Sequence, residues 1–138
     1  MSAEENKAMI RRYVEEAWNK GNVDIIDELM AAHYARHMAI SAPPLTREGQ
    51  KQRILGFRRA FPDLRLTIED MLAEGEKVSF RLTLRGTHQG EFMRIPPTGR
   101  QIAVGAVDVA RFEDGKVVEQ WGQTDMLGLL HQLGAIPT

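Results

Sequence analysis

Residues 101–125 of the chain read QIAVGAVDVARFEDGKVVEQWGQTD. Apolar residues occupy alternate positions over Ile102–Phe112, which predicts a long strand with one buried face. The pair Asp114–Gly115 follows, and Asp-Gly between two alternating segments is typical of a tight hairpin. A second strand is predicted over Val117–Thr124. The stretch therefore predicts two long antiparallel strands that lie side by side.

The same two-residue period is present upstream of this hairpin. Residues 64–69 alternate between apolar and polar, and so do residues 78–85, with a turn at 74–77 between them. Residues 86–100 contain three glycines and two prolines, which predicts a loop or a broken strand. The second half of the chain is therefore predicted to be an antiparallel meander.

The first half has the period of helices. A capping box at Ser2 and Glu5 starts a first helix that ends at Gly21. A second helix is predicted from Asn22 or Asp24 through His33 or Tyr34, with His37 at its end. Thr46 caps a third helix that ends before Pro62, and residues 126–133 predict a short tail helix.

Helices followed by a meander indicate an α+β fold in one domain, residues 1–138. The expected architecture is a cone-shaped, curled antiparallel sheet with about three N-terminal helices enclosing a pocket. Such a pocket is where a small ligand would bind.

Composition excludes several classes of function. The 138 residues carry 18 Lys plus Arg and 19 Asp plus Glu, a net charge of -1, so nucleic-acid or anionic-membrane binding is not expected. Cys is absent, which excludes disulfides, thiolate metal sites and cysteine nucleophiles. No apolar run approaches the length of a membrane span, and the acidic start lacks a signal-peptide pattern, so a cytoplasmic location is expected.

Two aspartates are candidates for chemistry in the pocket. Asp108 lies on the apolar face of the long strand, where a carboxylate is costly unless it is paired, hydrogen-bonded or protonated. It is either a buried Asp satisfied by an Arg from a neighbouring strand or a polar group of the pocket. Asp125 ends the last strand, where it either caps the tail helix or lies at the pocket wall. An apolar wall would raise the pKa of such a carboxyl and make it a usable acid or base.

The histidines leave several interpretations open. His33 and His37 would share a helical face, but the chain offers no third ligand in a metal-binding motif, so no metal site is predicted. His37 is expected to point into the pocket or to cap the second helix. His88 could face the pocket or a turn.

The ordered motifs of the chain resemble the SnoaL-like polyketide cyclase family. They cover nearly the whole sequence and are Phe61-Pro62-Asp63-Leu64, Gly75-Glu76, Thr87-His88-Gln89-Gly90, Pro96-Pro97-Thr98-Gly99, Asp114-Gly115-Lys116-Val117, Trp121, Asp125 and Gln132-Leu133-Gly134. The resemblance implies the cone-shaped fold of the nuclear transport factor two superfamily, with dimers formed through the outer face of the sheet. It also implies ring closure on a polyketide ester by an intramolecular aldol reaction, without a metal or an organic cofactor.

The resemblance also implies site residues. An Asp at the end of the last long strand is the acid/base of the family's cyclases, and Asp125 matches that position. His37 and His88 are predicted to assist it as catalytic donors. The residues predicted to bind substrate in the pocket are Asp108, Trp121, Trp18, Phe57 and Phe61.

Three classes of function remain open from the sequence. The first is a cyclase that acts on a polycyclic, polyketide-like ester, so a small hydrophobic or polycyclic ligand is expected. The second is another cofactor-free enzyme on the same fold, such as an epoxide hydrolase or a hydroxylase. A hydrolase would need carboxylate-activated water, which Asp108 and Asp125 with an Arg could supply. The third is a non-catalytic small-molecule binder. A homodimer is expected in each case, because both faces of the long strand are largely apolar.

Overall fold

The sheet is the centre of the fold and has five strands. The computed structural model describes residues 2–136. The strands are β1 (Met30–His37), β2 (Arg65–Glu74), β3 (Lys77–Thr87), β4 (Gln101–Glu113) and β5 (Lys116–Thr124). They lie in the order β1-β5-β4-β3-β2. The curled sheet stays unclosed, so the predicted α+β class is confirmed.

Strands β2 to β5 form the predicted antiparallel meander. The hairpin between β4 and β5 turns at Asp114 and Gly115, both of which have positive φ. Along β4 the side chains alternate strictly between buried and more exposed positions, with Asp108 among the buried ones. This alternation directs Asp108 toward the helices rather than toward the outer face of the sheet.

The helices are α1 (Ala3–Arg12), α2 (Ile25–Leu29), α3 (Arg47–Ala60) and α4 (Met126–Gln132). The predicted capping box is present, since Ser2 Oγ accepts from Glu5 N and Ser2 N donates to Glu5 Oε1, each over 3.1 Å. Thr46 caps α3 through Gly49 N, also as predicted. Among residues 2–136, each helix is too short or too polar to span a bilayer.

Two elements differ from the sequence-based prediction. The first helix continues past Arg12 as a π-helical segment, Tyr13–Asn19. The predicted second helix ends at Leu29, and the residues after it form β1, which pairs in parallel with β5. The prediction that Met30–His37 is helical is therefore wrong, and the sheet is mixed. A strand is favoured here because the edge of β5 offers unpaired backbone groups to the segment.

Candidate active site

A small hollow lies between the inner face of the sheet and the helices. It encloses about 20 Å³, which is room for about one water molecule. The sheet contributes both apolar and charged side chains to the lining, and the helical elements contribute Tyr13, Trp18 and Arg53. The full lining is Tyr13, Trp18, Arg36, Arg53, Leu66, Phe80, Leu82, Leu84, Ala106, Asp108 and Thr124. The predicted pocket is thus smaller than a curled sheet alone would leave, because long side chains extend into it.

The centre of the hollow is the carboxylate of Asp108. Arg36 Nη1 donates to Asp108 Oδ2 over 2.7 Å, and Gln120 Nε2 donates to the same oxygen over 2.7 Å. Tyr34 in turn donates its hydroxyl to Gln120 Oε1 over 2.7 Å. Arg36, Asp108 and Gln120 are 2%, 6% and 1% exposed, so the ion pair is shielded from solvent. Three strands, β1, β4 and β5, therefore hold this carboxylate in a fixed position.

Burial and neighbouring charges shift the pKa values of Arg36 and Tyr34 in this cluster. Burial lowers the pKa of Arg36, but the charge and hydrogen bond of Asp108, together with the nearby Tyr13 and Tyr34, outweigh it, so the pKa lies above the usual arginine value. Burial raises the pKa of the Tyr34 hydroxyl well above its usual value. At neutral pH Arg36 is therefore charged and Tyr34 keeps the proton that it donates to Gln120.

Gly122 makes the ion pair possible. It lies opposite Asp108 in the register of β4 and β5. A Cβ at this position would lie 2.5 Å from Arg36 Nη2 and would overlap Asp108 Oδ1. The space that a side chain would take at position 122 is therefore filled by the Arg36–Asp108 pair.

The π-helical segment supplies the polar rim of the hollow. Its geometry brings Tyr13 and Trp18, five residues apart, into contact, and Trp18 Nε1 donates to the Tyr13 hydroxyl over 3.0 Å. Gln50 Nε2 on α3 donates to the same hydroxyl over 2.8 Å. Both Tyr13 and Gln50 are buried, and Gln50 Oε1 has no hydrogen-bond partner among residues 2–136.

Arg53 reaches the hollow from α3. Its guanidinium lies 5.5 Å from the ring centroid of Trp18 and 5.3 Å from that of Phe57. Burial, with the neighbouring charge of Arg36, lowers the pKa of Arg53 to about 10. The guanidinium is therefore held against aromatic faces at an energetic cost that its surroundings only partly offset.

Asp125 is not at the hollow. Its side chain is exposed, and Oδ1 accepts from Gly128 N over 2.9 Å as the N-cap of α4. The expectation that Asp125 lines an apolar wall is wrong, because the chain turns from β5 into α4 at this residue and the backbone donors of the helix take up the carboxylate. The alternative interpretation, a helix cap, is confirmed.

His37 and Trp121 lie together on the outer face of the sheet. Their rings stack at 5.4 Å, and His37 Nε2 lies 2.9 Å from Glu119 Oε2. Arg111, followed by His37, lowers the pKa of Glu119. The expectations that His37 ends a helix and that Trp121 walls the pocket are wrong, since β1 is a strand and Trp121 has the parity opposite to Gln120. Both residues line an outer groove of about 420 Å³.

His88 is buried away from the hollow. Its Nδ1 accepts from Thr98 N over 3.2 Å, its ring packs against Phe61, and its Nε2 has no partner among residues 2–136. His88 therefore joins the 86–100 loop to the core, and the structure does not bring it together with Asp125 or His37.

The aromatic residues predicted to bind substrate divide into two groups. Trp18 lines the hollow, whereas Phe57 lies behind it, with its ring centroid 5.6 Å from that of Trp18. Phe61 is fully buried and packs against Phe92. Only Trp18 and Asp108, of the predicted substrate-binding residues, are in the lining.

Sequence reasoning missed the partners of Asp108. It considered an Arg from a neighbouring strand, but the partner is Arg36 of β1, two strands away across β5. Gln120 was within reach of sequence analysis, since it is a polar residue on the buried face of β5. Arg53 gave a weaker signal, as a cation next to the apolar stripe of α3.

Comparisons with known proteins agree with this architecture. The family model described as SnoaL-like polyketide cyclase matches residues 8–133. Aklanonic acid methyl ester cyclase DnrD of Streptomyces peucetius is 30% identical over 130 residues, which cover 91% of this chain and 88% of that protein. The nogalonic acid methyl ester cyclase of Streptomyces nogalater is 29% identical over 120 residues, covering 86% of this chain and 90% of the relative.

Solved structures show the same fold. AclR of Streptomyces galilaeus, described as a candidate hydroxylase, is 34% identical with a TM-score of 0.89, covering 99% of this chain and 89% of that one. IdmH of Streptomyces antibioticus, described as a candidate polyketide cyclase, is 34% identical with a TM-score of 0.82, covering 94% of this chain and 98% of that one.

Proposed function

Since this chain belongs to the SnoaL-like polyketide cyclase family, we propose that it closes a ring in a polyketide-like ester by an intramolecular aldol reaction, with a carboxylate of the hollow as acid and base. Relatives named as methyl ester cyclases support the reaction. Asp108 is the carboxylate that we assign to it, because Asp125 caps α4 outside the hollow.

One observation carries this assignment. Asp108 is the one carboxylate in the lining of the hollow among residues 2–136. Its Oδ2 accepts two hydrogen bonds, from Arg36 and Gln120, and these fix the carboxylate in place. The other oxygen, Oδ1, is left for a substrate. A base that is fixed in this way loses little freedom when it meets the acidic proton.

The aldol reaction needs two proton transfers. In the first, Asp108 Oδ1 removes a proton from the carbon next to a carbonyl, and the resulting carbanion attacks a second carbonyl of the same molecule. In the second, the protonated carboxyl returns the proton to the new alkoxide, so the product is an isomer of the substrate. Arg36 stays charged throughout and stabilises the carboxylate before and after the transfer.

The hollow must enlarge before a ligand of several rings enters. The sheet wall is held by the ladders of β3, β4 and β5 and cannot move far. The helix wall consists of side chains, above all Trp18 and Arg53, that can change rotamer. Entry by movement of these side chains is consistent with the gating seen in other enzymes.

A hydroxylase is the second candidate function. AclR, with 34% identity and a TM-score of 0.89, is described as a candidate hydroxylase. A product that gains an oxygen atom would support this function. A protein that returns its ligand unchanged would be a binder.

The proposal uses neither a metal nor an organic cofactor. This follows the resemblance drawn from the sequence motifs, and it predicts that turnover survives treatment with a chelator. The cytoplasmic location expected from the sequence is part of the proposal, and fractionation of the producing cells would test it.

The test is turnover by three purified proteins. Wild type, Asp108→Asn and Asp125→Asn are incubated with aklanonic acid methyl ester and with nogalonic acid methyl ester, and products are followed by chromatography with mass detection. Wild type should give an isomer of unchanged mass, and Asp108→Asn should lose at least about 100-fold in rate because its amide cannot accept the proton. Asp125→Asn should keep full turnover, since Asn is also a good N-cap.

Folding is controlled separately. Removing the charge of Asp108 leaves Arg36 unpaired, so circular dichroism and a thermal melt of each variant must show folded protein at the assay temperature. Asp108→Glu, which keeps the carboxylate but moves it, should fold and retain partial turnover. Full turnover by Asp108→Asn, or its loss in Asp125→Asn, would overturn the assignment of Asp108.

A further inference from the structure

We infer that the Arg53 guanidinium is an oxyanion-binding group, and that the ligand of the hollow carries an ionised oxygen, a carboxylate or an enolate, on an aromatic or polycyclic body. The inference rests on the proposed function only in that the hollow is the ligand site. It assigns the bound ligand a standing negative charge, in addition to the enolate that forms transiently in the aldol reaction.

The first observation is a charge imbalance. Arg36 and Arg53 line the hollow together with one acid, Asp108, so two positive charges face one negative charge. Asp108 is already bound to Arg36 over 2.7 Å. One positive charge, that of Arg53, is therefore left without a counter-ion in the lining. Arg53 is partly buried, and a partly desolvated cation is stabilised by an anion beside it, so an anionic ligand would complete this arrangement.

The second observation is the environment of Arg53 itself. Among residues 2–136, no side chain or carbonyl accepts a hydrogen bond from its guanidinium, and its contacts are the ring faces of Trp18 and Phe57 at 5.5 and 5.3 Å. Ring faces attract a cation but accept none of its five N–H groups in the geometry that a carboxylate offers. The N–H groups of Arg53 are therefore available to a ligand.

Other arginines of α3 show that Arg53 is unusual. Arg58 donates from Nη1 to the carbonyl oxygens of Trp18 and Asn19 over 2.8 and 2.9 Å, and so has a structural role. Arg59, next to it on the chain, is exposed to solvent. Arg53 alone of the three lines the hollow. Arg53 is thus partly buried, lies against aromatic rings and lines the same hollow as the proposed base, Asp108.

The geometry also defines the body of the ligand. The apolar part of the lining comes from strands β2, β3 and β4 and consists of Leu66, Phe80, Leu82, Leu84 and Ala106. The ring of Trp18 lies on the same side as Arg53. Once the hollow has enlarged, a flat apolar ligand could pack against the apolar side chains and place an oxyanion at its edge beside Arg53. A neutral ligand could make the same apolar contacts, but the positive charge of Arg53 would still have no counter-ion.

Binding of two matched pairs of probes by isothermal titration calorimetry tests the inference. The first pair is 2-naphthoate and methyl 2-naphthoate, which differ by a carboxylate. The second is 2-hydroxy-1,4-naphthoquinone, an enolate-type anion at neutral pH, and its neutral methyl ether. Wild type should bind the anion of at least one pair about 10-fold more tightly than the neutral partner. The pair that shows the larger preference identifies the source of the oxyanion.

Variants assign the preference to one residue. Arg53→Gln should bind anion and neutral partner equally, and Arg53→Lys, which keeps the charge, should retain part of the preference. Arg59→Gln, on the same helix but exposed, is the matched control and should behave as wild type. A purely structural Arg53 would change the thermal stability of Arg53→Gln and leave the anion preference intact.

The outcomes separate this inference from the proposed function. Equal affinity of wild type for both members of each pair, or an undiminished preference in Arg53→Gln, would overturn the role of Arg53, whatever the turnover. Failure of the Asp108→Asn test alone would remove the base and leave the anion preference standing. The two measurements are independent because binding is read without any reaction.

Discussion

At the scale of single residues, Gly122 sets how closely Arg36 and Asp108 can approach. Its backbone lies directly opposite Asp108, and the ion pair occupies the volume where a side chain would be. The predicted consequence is that Gly122→Ala lowers the free energy of unfolding by about 3 kcal/mol, because the buried pair must separate or shift. Urea denaturation followed by circular dichroism measures this loss.

Gly105→Ala is the matched control for that substitution. Gly105 lies on β4, and a Cβ there would meet its nearest neighbour, the carbonyl oxygen of Leu82, at 4.0 Å. This variant should be unchanged or more stable by up to about 1 kcal/mol, since alanine restricts the unfolded chain. Equal effects at positions 122 and 105 would contradict the role given to Gly122.

Individual residues show what the sequence can and cannot predict about the site. The sequence identifies Asp108 as a candidate, because burying a carboxylate on an apolar strand face costs free energy unless a partner stabilises it. Arg36 was not found, because its contact with Asp108 depends on β1, whose pairing with β5 is non-local. The sequence around Asp125 is compatible with a helix cap and with a carboxylate at the pocket wall. Only the path of the chain in the structure distinguishes these two interpretations.

At the scale of elements, the π-helical segment determines the shape of the hollow. It brings Tyr13 and Trp18 together, and the Tyr13 hydroxyl accepts hydrogen bonds from Trp18 Nε1 and Gln50 Nε2. Tyr13→Phe should therefore lower the free energy of unfolding by about 2 kcal/mol, because two buried donors lose their acceptor. Chemical denaturation monitored by circular dichroism tests the value.

A double variant makes this prediction specific. Tyr13→Phe with Gln50→Leu removes one of the stranded donors and should recover part of the lost stability. If Tyr13→Phe is as stable as wild type, the hydroxyl does not join the π-helical segment to α3. If the loss of unfolding free energy in the double variant equals the sum of the losses in the two single variants, the hydrogen bond from Gln50 does not account for the effect of Tyr13→Phe.

Elements also differ in how well the sequence predicts them. The hairpin of β4 and β5 and the caps of α1 and α3 follow from local signals, namely alternation, Asp-Gly and capping side chains. The segment Met30–His37 contains three alanines and follows a helix, so local propensity favours helix there. Parallel pairing with β5 overrides that propensity, and no local pattern reveals a partner more than eighty residues away.

At the scale of the whole molecule, the outer face of the sheet carries an exposed apolar patch. Val107 is 49% exposed, and it lines the outer groove together with Val109 and Trp121. We propose, as expected from the sequence, that a second copy of the chain covers this face. Light scattering after gel filtration should give about twice 15.6 kDa for wild type and the monomer mass for Val107→Glu.

Leu127→Glu serves as the control for that experiment. Leu127 is 71% exposed on α4, away from the outer groove, so its substitution should leave the dimer intact. A monomeric wild type at micromolar concentration would contradict the proposal. Dissociation by both variants would show that added charge, rather than the chosen face, disrupts association.

The parallel pairing of β1 with β5 has a consequence for synthesis on the ribosome. His37 lies beside Trp121, although translation of Trp121 comes long after His37 has left the exit tunnel. Until then β1 has no β5 to pair with, and Arg36 and Tyr34 lack the side chains to which they hydrogen-bond in the folded protein. The nascent chain can thus form its first helices early, but the cluster of Arg36, Asp108 and Gln120 assembles last and all at once, when the final strand emerges.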